Sequence, residues 1–194
     1  YPGHLWRNQE KVKLDNEFIP PHTRTLGGDG DLFNPESYRR YSQNQYAPEL
    51  MLNEALSFID SARGAPFFLY FTTTIPHVPL QATVEWVDKY RKKIGDEKPY
   101  PGDKGYFPCR YPLATYAAMV SYLDYQVGVI VEELKKKGIY ENTILIFSSD
   151  NGPVTDGGSV SEFFGNAKPF NQAANRLKGS VNEGGIHVPL IVSW

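Results

Sequence analysis

The sequence predicts an α/β domain: layered α/β/α with a mostly parallel sheet. Three observations carry that expectation. Short apolar runs rich in β-branched and aromatic residues recur at 67–71, 143–147 and 188–193. Amphipathic helical stretches alternate with them, which is the order that builds crossover connections between parallel strands. The runs also end in small polar or turn residues, such as Thr72-Thr73-Thr74 and Ser148-Ser149-Asp150-Asn151-Gly152. In an open α/β sheet those strand ends are where ligands bind.

Residues 1–45 are polar and turn-rich, with Pro20-Pro21 and Gly27-Gly28-Asp29-Gly30. They read as an extended surface region with one short strand around Glu10–Leu14, ahead of an α/β core over 46–194. Pro48 suits a first helical turn, and apolar spacing from Leu50 to Ile59 predicts a helix closing at Gly64. Pro66 then starts the Phe67–Phe71 run, expected as a buried strand. A short helix is expected over 85–93, and the Pro- and Gly-rich stretch 94–112 reads as a loop. The clearest helix runs from Leu113 to Lys137. Tyr116, Met119, Val120, Leu123, Val127, Ile130, Val131 and Leu134 form its apolar stripe. Lys135-Lys136-Lys137 complements the C-terminal dipole and Gly138 ends the helix. Asp124, between apolar neighbours, is expected to be partly buried in a structural hydrogen bond. A strand over 143–147, a glycine-bearing loop over 150–185 and a strand over Val188–Ser193 complete the chain. The three strands are expected in one sheet, with the long helix on its face.

The composition is that of a soluble globular protein: 194 residues, 41% hydrophobic, 22% charged and a net charge of −2. That balance points away from nucleic acid and anionic membranes. No run of twenty apolar residues predicts a membrane span. The single Cys109 excludes an internal disulfide and a cysteine metal cage. It also lacks a neighbouring histidine, so it reads as a packed thiol rather than a nucleophile. The first residue is Tyr1, and Trp194 directly follows a strand-like run. Both ends are expected to be cut from something larger.

Three places offer chemistry. Asp150-Asn151 puts a carboxylate and an amide carbonyl just past a strand, and both are hard donors suited to Ca²⁺ or Mg²⁺. The same residues with Gly152 also read as a plain turn. His77 lies in Ile75-Pro76-His77-Val78-Pro79, where two prolines fix the backbone of an imidazole placed for proton transfer or anion binding. A turn histidine with a satisfied ring is its other reading. Lys178 opens Lys178-Gly179-Ser180-Val181-Asn182-Glu183-Gly184-Gly185, whose glycines admit close backbone approach while the ammonium meets an oxyanion. A solvated loop lysine is the alternative. Glu183 is expected to anchor that loop by accepting backbone donors.

In order, these elements resemble a known family. The segment from Pro66 to Pro76-His77-Val78-Pro79 comes first, then the helix with Met119, Leu123-Asp124 and Val127-Gly128. Phe147-Ser148-Ser149-Asp150-Asn151-Gly152-Pro153 follows, and Lys178 to Glu183-Gly184-Gly185-Ile186 with Val188-Pro189 closes the series. Together they look like the central and later part of a type I sulfatase (arylsulfatase-like), of the alkaline phosphatase superfamily; Leu5-Trp6-Arg7-Asn8 also resembles that family's preceding segment.

The resemblance implies an alkaline-phosphatase-like fold and hydrolysis of a sulfate monoester by a formylglycine nucleophile. It implies a divalent ion, Ca²⁺ or Mg²⁺, with Asp150 and Asn151 among its ligands, and His77 and Lys178 on the sulfate group. The substrate would be a sulfated small molecule or a sulfated glycan, in a secreted, periplasmic or lysosomal protein. The Cys/Ser-x-Pro-x-Arg motif that becomes formylglycine does not occur in these residues, nor does the paired N-terminal Asp motif. The chain thus resembles a sulfatase lacking its front third, inactive by itself, with formylglycine expected upstream. His187 stands where Arg is usual and is expected to play a supporting role. Two other readings remain: a phosphate or phosphonate ester hydrolase of the same superfamily, and a non-catalytic domain binding sulfated glycans.

Overall fold

The computed structural model describes residues 1–20, 22–26, 30–62, 64–166, 168–169 and 177–194. Its core forms around the longest helix, Pro112–Lys136 (α3). Two earlier helices, Ala47–Ser61 (α1) and Val84–Ile94 (α2), pack on it. All three match the expected helices to within a few residues. Pro48 and Pro112 sit in first turns, where their missing N–H groups leave no bond unmade. At the other ends, Gly64, Gly95 and Gly138 take the positive φ that follows a terminated helix.

Tyr46, Ile75, Val78, Leu80, Ala82, Tyr100, Cys109, Ala118, Met119 and Tyr122 form the main core cluster. The buried arc of α3 runs through Thr115, Ala118, Met119, Tyr122 and Gln126. That arc is rotated from the predicted stripe: Val120 is 41% exposed, while Gln126 is fully buried. Gln126 lies inward because its partners do. Its Nε2 donates to the Pro48 carbonyl at 2.7 Å, and its Oε1 accepts from Thr73 Oγ1 at 3.2 Å. Asp124 corrects the expectation made for it: it is exposed and its side chain makes no hydrogen bond among the described residues. One position along the helix from the apolar arc, it turns to solvent.

The N-terminal region folds as a hairpin of His4–Arg7 (β1) and Glu10–Lys13 (β2), turned at Asn8 with φ 55°. A 3₁₀ helix over Pro35–Tyr41 follows. This region docks through the stacked rings of Tyr41 and Phe107, 4.9 Å apart, and through Gln81 Nε2 donating to the Tyr41 carbonyl at 2.8 Å.

Helices and strands mix as in part of an α/β domain, but the strand pairing differs from expectation. Leu145–Ser148 (β3) pairs antiparallel with Leu190–Ser193 (β4), Leu145 opposite Ser193. Residues 67–71 join no sheet among the described residues. They keep the alternation of a one-sided strand: Phe67, Leu69 and Phe71 are half-buried, while Phe68 and Tyr70 are 85% and 79% exposed. The residues have strand chemistry, but no described segment offers them a ladder partner. Likewise α3 packs chiefly on α2 and α1 rather than on the β3–β4 pair.

Candidate functional site

Asp150 lies two residues past the end of β3, where the sequence placed a strand's ligand-facing end. It is exposed, and its carboxylate has no partner among the described residues. Asn151 Nδ2 donates to the Gly152 carbonyl at 2.9 Å, which occupies the amide's donor side and leaves its carbonyl oxygen as the available group. Ser149 Oγ steadies the turn by donating to the Asn151 carbonyl at 3.0 Å. A free carboxylate and a free amide oxygen on adjacent residues are a donor set for a hard cation. No group of three His, Cys, Asp or Glu side chains converges as a cation cage among the described residues, so this pair is a partial shell.

The turn is fastened to the lysine loop by backbone. Gly152 N–H donates to the Gly185 carbonyl at 2.9 Å, and Lys178 N–H donates to the Pro153 carbonyl at 2.9 Å. The approach is so close that a Cβ on Gly152 would overlap the Gly184 carbonyl oxygen, and one on Gly185 would overlap the Ser180 carbonyl oxygen. Leu177, 6% exposed, roots the loop, while the Lys178 side chain stands in solvent without an ion pair among the described residues. The expected role of Glu183 is corrected here. Its carboxylate meets His187 Nδ1 at 2.7 Å rather than backbone amides, because the one-turn helix Glu183–Ile186 (here α5, after the one-turn α4 at Ser161–Phe164) sets the two residues one turn apart.

His77 is held from its own turn. Its N–H donates to the Thr74 carbonyl at 3.0 Å, and Nδ1 lies 2.5 Å from the Val78 carbonyl. A carbonyl only accepts, so Nδ1 carries the proton and Nε2 is the free nitrogen. The Tyr106 ring stands edge-on, 6.4 Å away. Val78 is buried under Gly157, where a Cβ would be 2.8 Å from Val78 Cγ1, and Gly158 packs on Tyr100 and Pro112. The loop leaving Asp150 therefore passes first against the Lys178 loop and then over the residue next to His77. The side chains of His77, Asp150 and Lys178 make no direct contact with one another among the described residues; backbone hydrogen bonds join the 152–153 turn to the Lys178 loop, and His77 adjoins them only through Val78 against Gly157.

Cys109 is no nucleophile. Burial pushes its thiol up to about 11, and Sγ donates to Thr115 Oγ1 at 3.4 Å. Sequence reasoning missed Glu97, which caps α3 by accepting from the Leu113 and Ala114 amides at 2.5 and 3.1 Å. It also missed Tyr106 beside His77. Both sit in the loop 94–112, where no periodicity marks a residue that reaches a distant element. A polar groove of about 500 Å³ between Lys13–Glu17 and Arg39–Asn44 lies elsewhere. Its amides are occupied in stitching those segments together: Asn16 Nδ2 donates to the Pro2 and Gln45 carbonyls, and Gln43 Nε2 to those of Glu17 and Arg40.

A family profile described as Sulfatase matches residues 4–194. The chain is 32% identical over 148 residues to an N-acetylgalactosamine-6-O-sulfatase of Bacteroides thetaiotaomicron, covering 75% of this chain and 25% of that protein. It is 31% identical to the uncharacterized sulfatase YdeN of Escherichia coli over 77% of this chain and 23% of that one. The chain thus spans about a quarter of the length of these curated relatives. Among solved structures, Ps i-CgsB in complex with k-i-k-neocarrahexaose superposes with a TM-score of 0.60 at 34% identity, covering 78% of this chain and 29% of that one.

Proposed function

Since this chain belongs to the sulfatase family, we propose that its protein hydrolyses a sulfate monoester on a glycan and that these residues supply part of the metal shell and the sulfate-binding groups. The observation that carries the reading is the pair of backbone hydrogen bonds, Gly152 to Gly185 and Lys178 to Pro153, which sets a hard-donor turn beside a lysine loop. A cation and an ammonium side by side match a sulfate group, whose oxygens must be neutralised together. The similarity to Ps i-CgsB, solved with a neocarrahexaose, supports a sulfated glycan as the substrate class.

The roles follow from chemistry. Asp150 and the Asn151 carbonyl would hold Ca²⁺ or Mg²⁺, which when bound polarises the sulfate oxygens. Ca²⁺ takes about six to eight oxygens, so two residues leave most of its shell to other donors. Lys178 binds a sulfate oxygen as a point charge on a flexible stem. His77, with Nδ1–H committed to Val78, offers Nε2 toward the ester oxygen that leaves, donating when protonated. The nucleophile would be a formylglycine, whose Cys/Ser-x-Pro-x-Arg source does not occur in these residues. Export from the cytoplasm is the family-based expectation for localisation; among the described residues no helix is long and apolar enough to cross a membrane.

The test is an aryl sulfate assay on these 194 residues alongside calorimetric titration with inorganic sulfate. Turnover is expected flat at background, since positioning groups without a nucleophile leave only residual catalysis. Weak sulfate binding is expected to disappear in Lys178→Ala. Turnover abolished by Lys178→Ala would place the nucleophile inside this chain and overturn the assignment of roles.

A further inference from the structure

Building on the roles given to Asp150, Asn151 and Lys178, we propose that Gly152 and Gly185 are positioning residues. They close a two-bond backbone clamp that makes the Asp150–Asn151 turn and the Lys178 loop a single opening and closing unit. The turn gives and takes within two residues: Gly152 donates to Gly185, and Pro153 accepts from Lys178, each at 2.9 Å. The far side is tied to itself by Gly185 N–H to the Asn182 carbonyl at 2.8 Å and Ser180 N–H to the Leu177 carbonyl at 3.0 Å. Neither contact position tolerates a side chain, because a Cβ at 152 would overlap the Gly184 oxygen and one at 185 the Ser180 oxygen.

The clamp is independent of the charges it carries. Asp150 and Lys178 form no ion pair among the described residues, so their relative placement runs through the backbone and survives removal of either side chain. A ligand on one loop then settles the other. A cation on Asp150–Asn151 shuts the unit, and an oxyanion arriving at Lys178 finds its loop already ordered. By linkage the oxyanion favours the cation by the same factor.

Amide hydrogen exchange on the full chain, with Ca²⁺ and inorganic sulfate as probes, decides it. In the wild type the Gly152 and Lys178 amides are expected to exchange through one common opening, and Ca²⁺ is expected to slow both. Gly152→Ala and Gly185→Ala are each expected to speed the remaining clamp amides on the order of tenfold or more while α3 amides keep their protection. Lys178→Ala is expected to keep both amides protected and to lose only the response to sulfate. Wild-type amides that open independently overturn the clamp without any variant being needed. A Gly185→Ala chain whose Lys178 amide stays slow overturns it too. Shared protection indifferent to both Ca²⁺ and sulfate supports the clamp and instead sinks the ligand roles assigned above.

Discussion

The helical half of this chain and its strand-bearing half solve opposite problems. Around α1, α2 and α3 the apolar residues are enclosed: Ala114 and Ala118 are fully buried, and Gln126 among them has both ends of its amide occupied. Around β3 and β4 they are bare, with Ile146 67%, Leu190 68% and Trp194 86% exposed, and Phe68 and Tyr70, outside any described sheet, are 85% and 79% exposed. Soluble proteins rarely leave such faces open, nor strand edges beside them. The first half is a scaffold complete in its own contacts. The second holds the Asp150–Asn151 turn and the Lys178 loop and meets the scaffold at Val78–Gly157 and at Gly158, which packs on Tyr100 and Pro112.

The largest effect expected from this contrast is in the core. Met119→Ala empties a side chain that is 1% exposed and should cost about 2–5 kcal/mol of unfolding free energy. Ile146→Ala, at a site already in water, should change it by no more than about 0.5 kcal/mol. Urea denaturation followed by far-UV circular dichroism measures both. Comparable losses at the two positions would erase the distinction between the halves.

A mid-sized effect is expected at high pH from Cys109. Burial raises its thiol to about 11 from an ordinary 9.0, so below pH 9 both folded and unfolded chains are protonated and its contribution is intact. Between these values the unfolded chain ionises while the folded one cannot, and stability falls as pH rises, by about 3 kcal/mol in all. Tyr38 and Tyr122, pushed by burial up to about 12 from an ordinary 10.0, add a loss of the same sign as pH rises through that range. The difference between wild type and Cys109→Ala isolates the thiol. It should shrink across this window, and a difference constant from pH 8 to 11 would show the thiol to be solvated.

What was legible in the sequence divides along the same line. The helices were readable because their determinants are local: Pro48 and Pro112 start two of them, and Gly138 follows the longer of the two. Strand pairing was not, because Leu145 finds Ser193 across a long loop and nothing local marks the direction of approach. The inward turn of Gln126 was hidden because a 3.6-residue period counts apolar residues and ignores a polar one whose partners come from elsewhere. At the site, the candidates emerged from the order of several motifs. The hydrogen bonds that join two of those motifs could be read only from coordinates, since Gly152 and Gly185 look like ordinary loop glycines.

The smallest effect expected lies at the seam, where Glu97 caps α3 next to the Pro112–Gly158 contact. Glu97→Ala strips the acceptor from two helix-terminal amides and should cost about 1 kcal/mol. Glu97→Gln keeps an acceptor oxygen and removes a carboxylate whose protonation burial favours, against the pull of the Leu113 and Ala114 amides. A carboxyl raised in the folded state contributes fully below its ordinary value of 4.5 and loses that contribution as pH climbs through the folded value. The glutamine variant should therefore gain on wild type between pH 4 and 7, by less than the alanine variant loses. Thermal melts at the two pH values check the sign. If the glutamine variant falls behind as pH rises, the ionised carboxylate is a net stabiliser of the helix N-terminus, and α3 is capped by charge rather than by an acceptor oxygen alone.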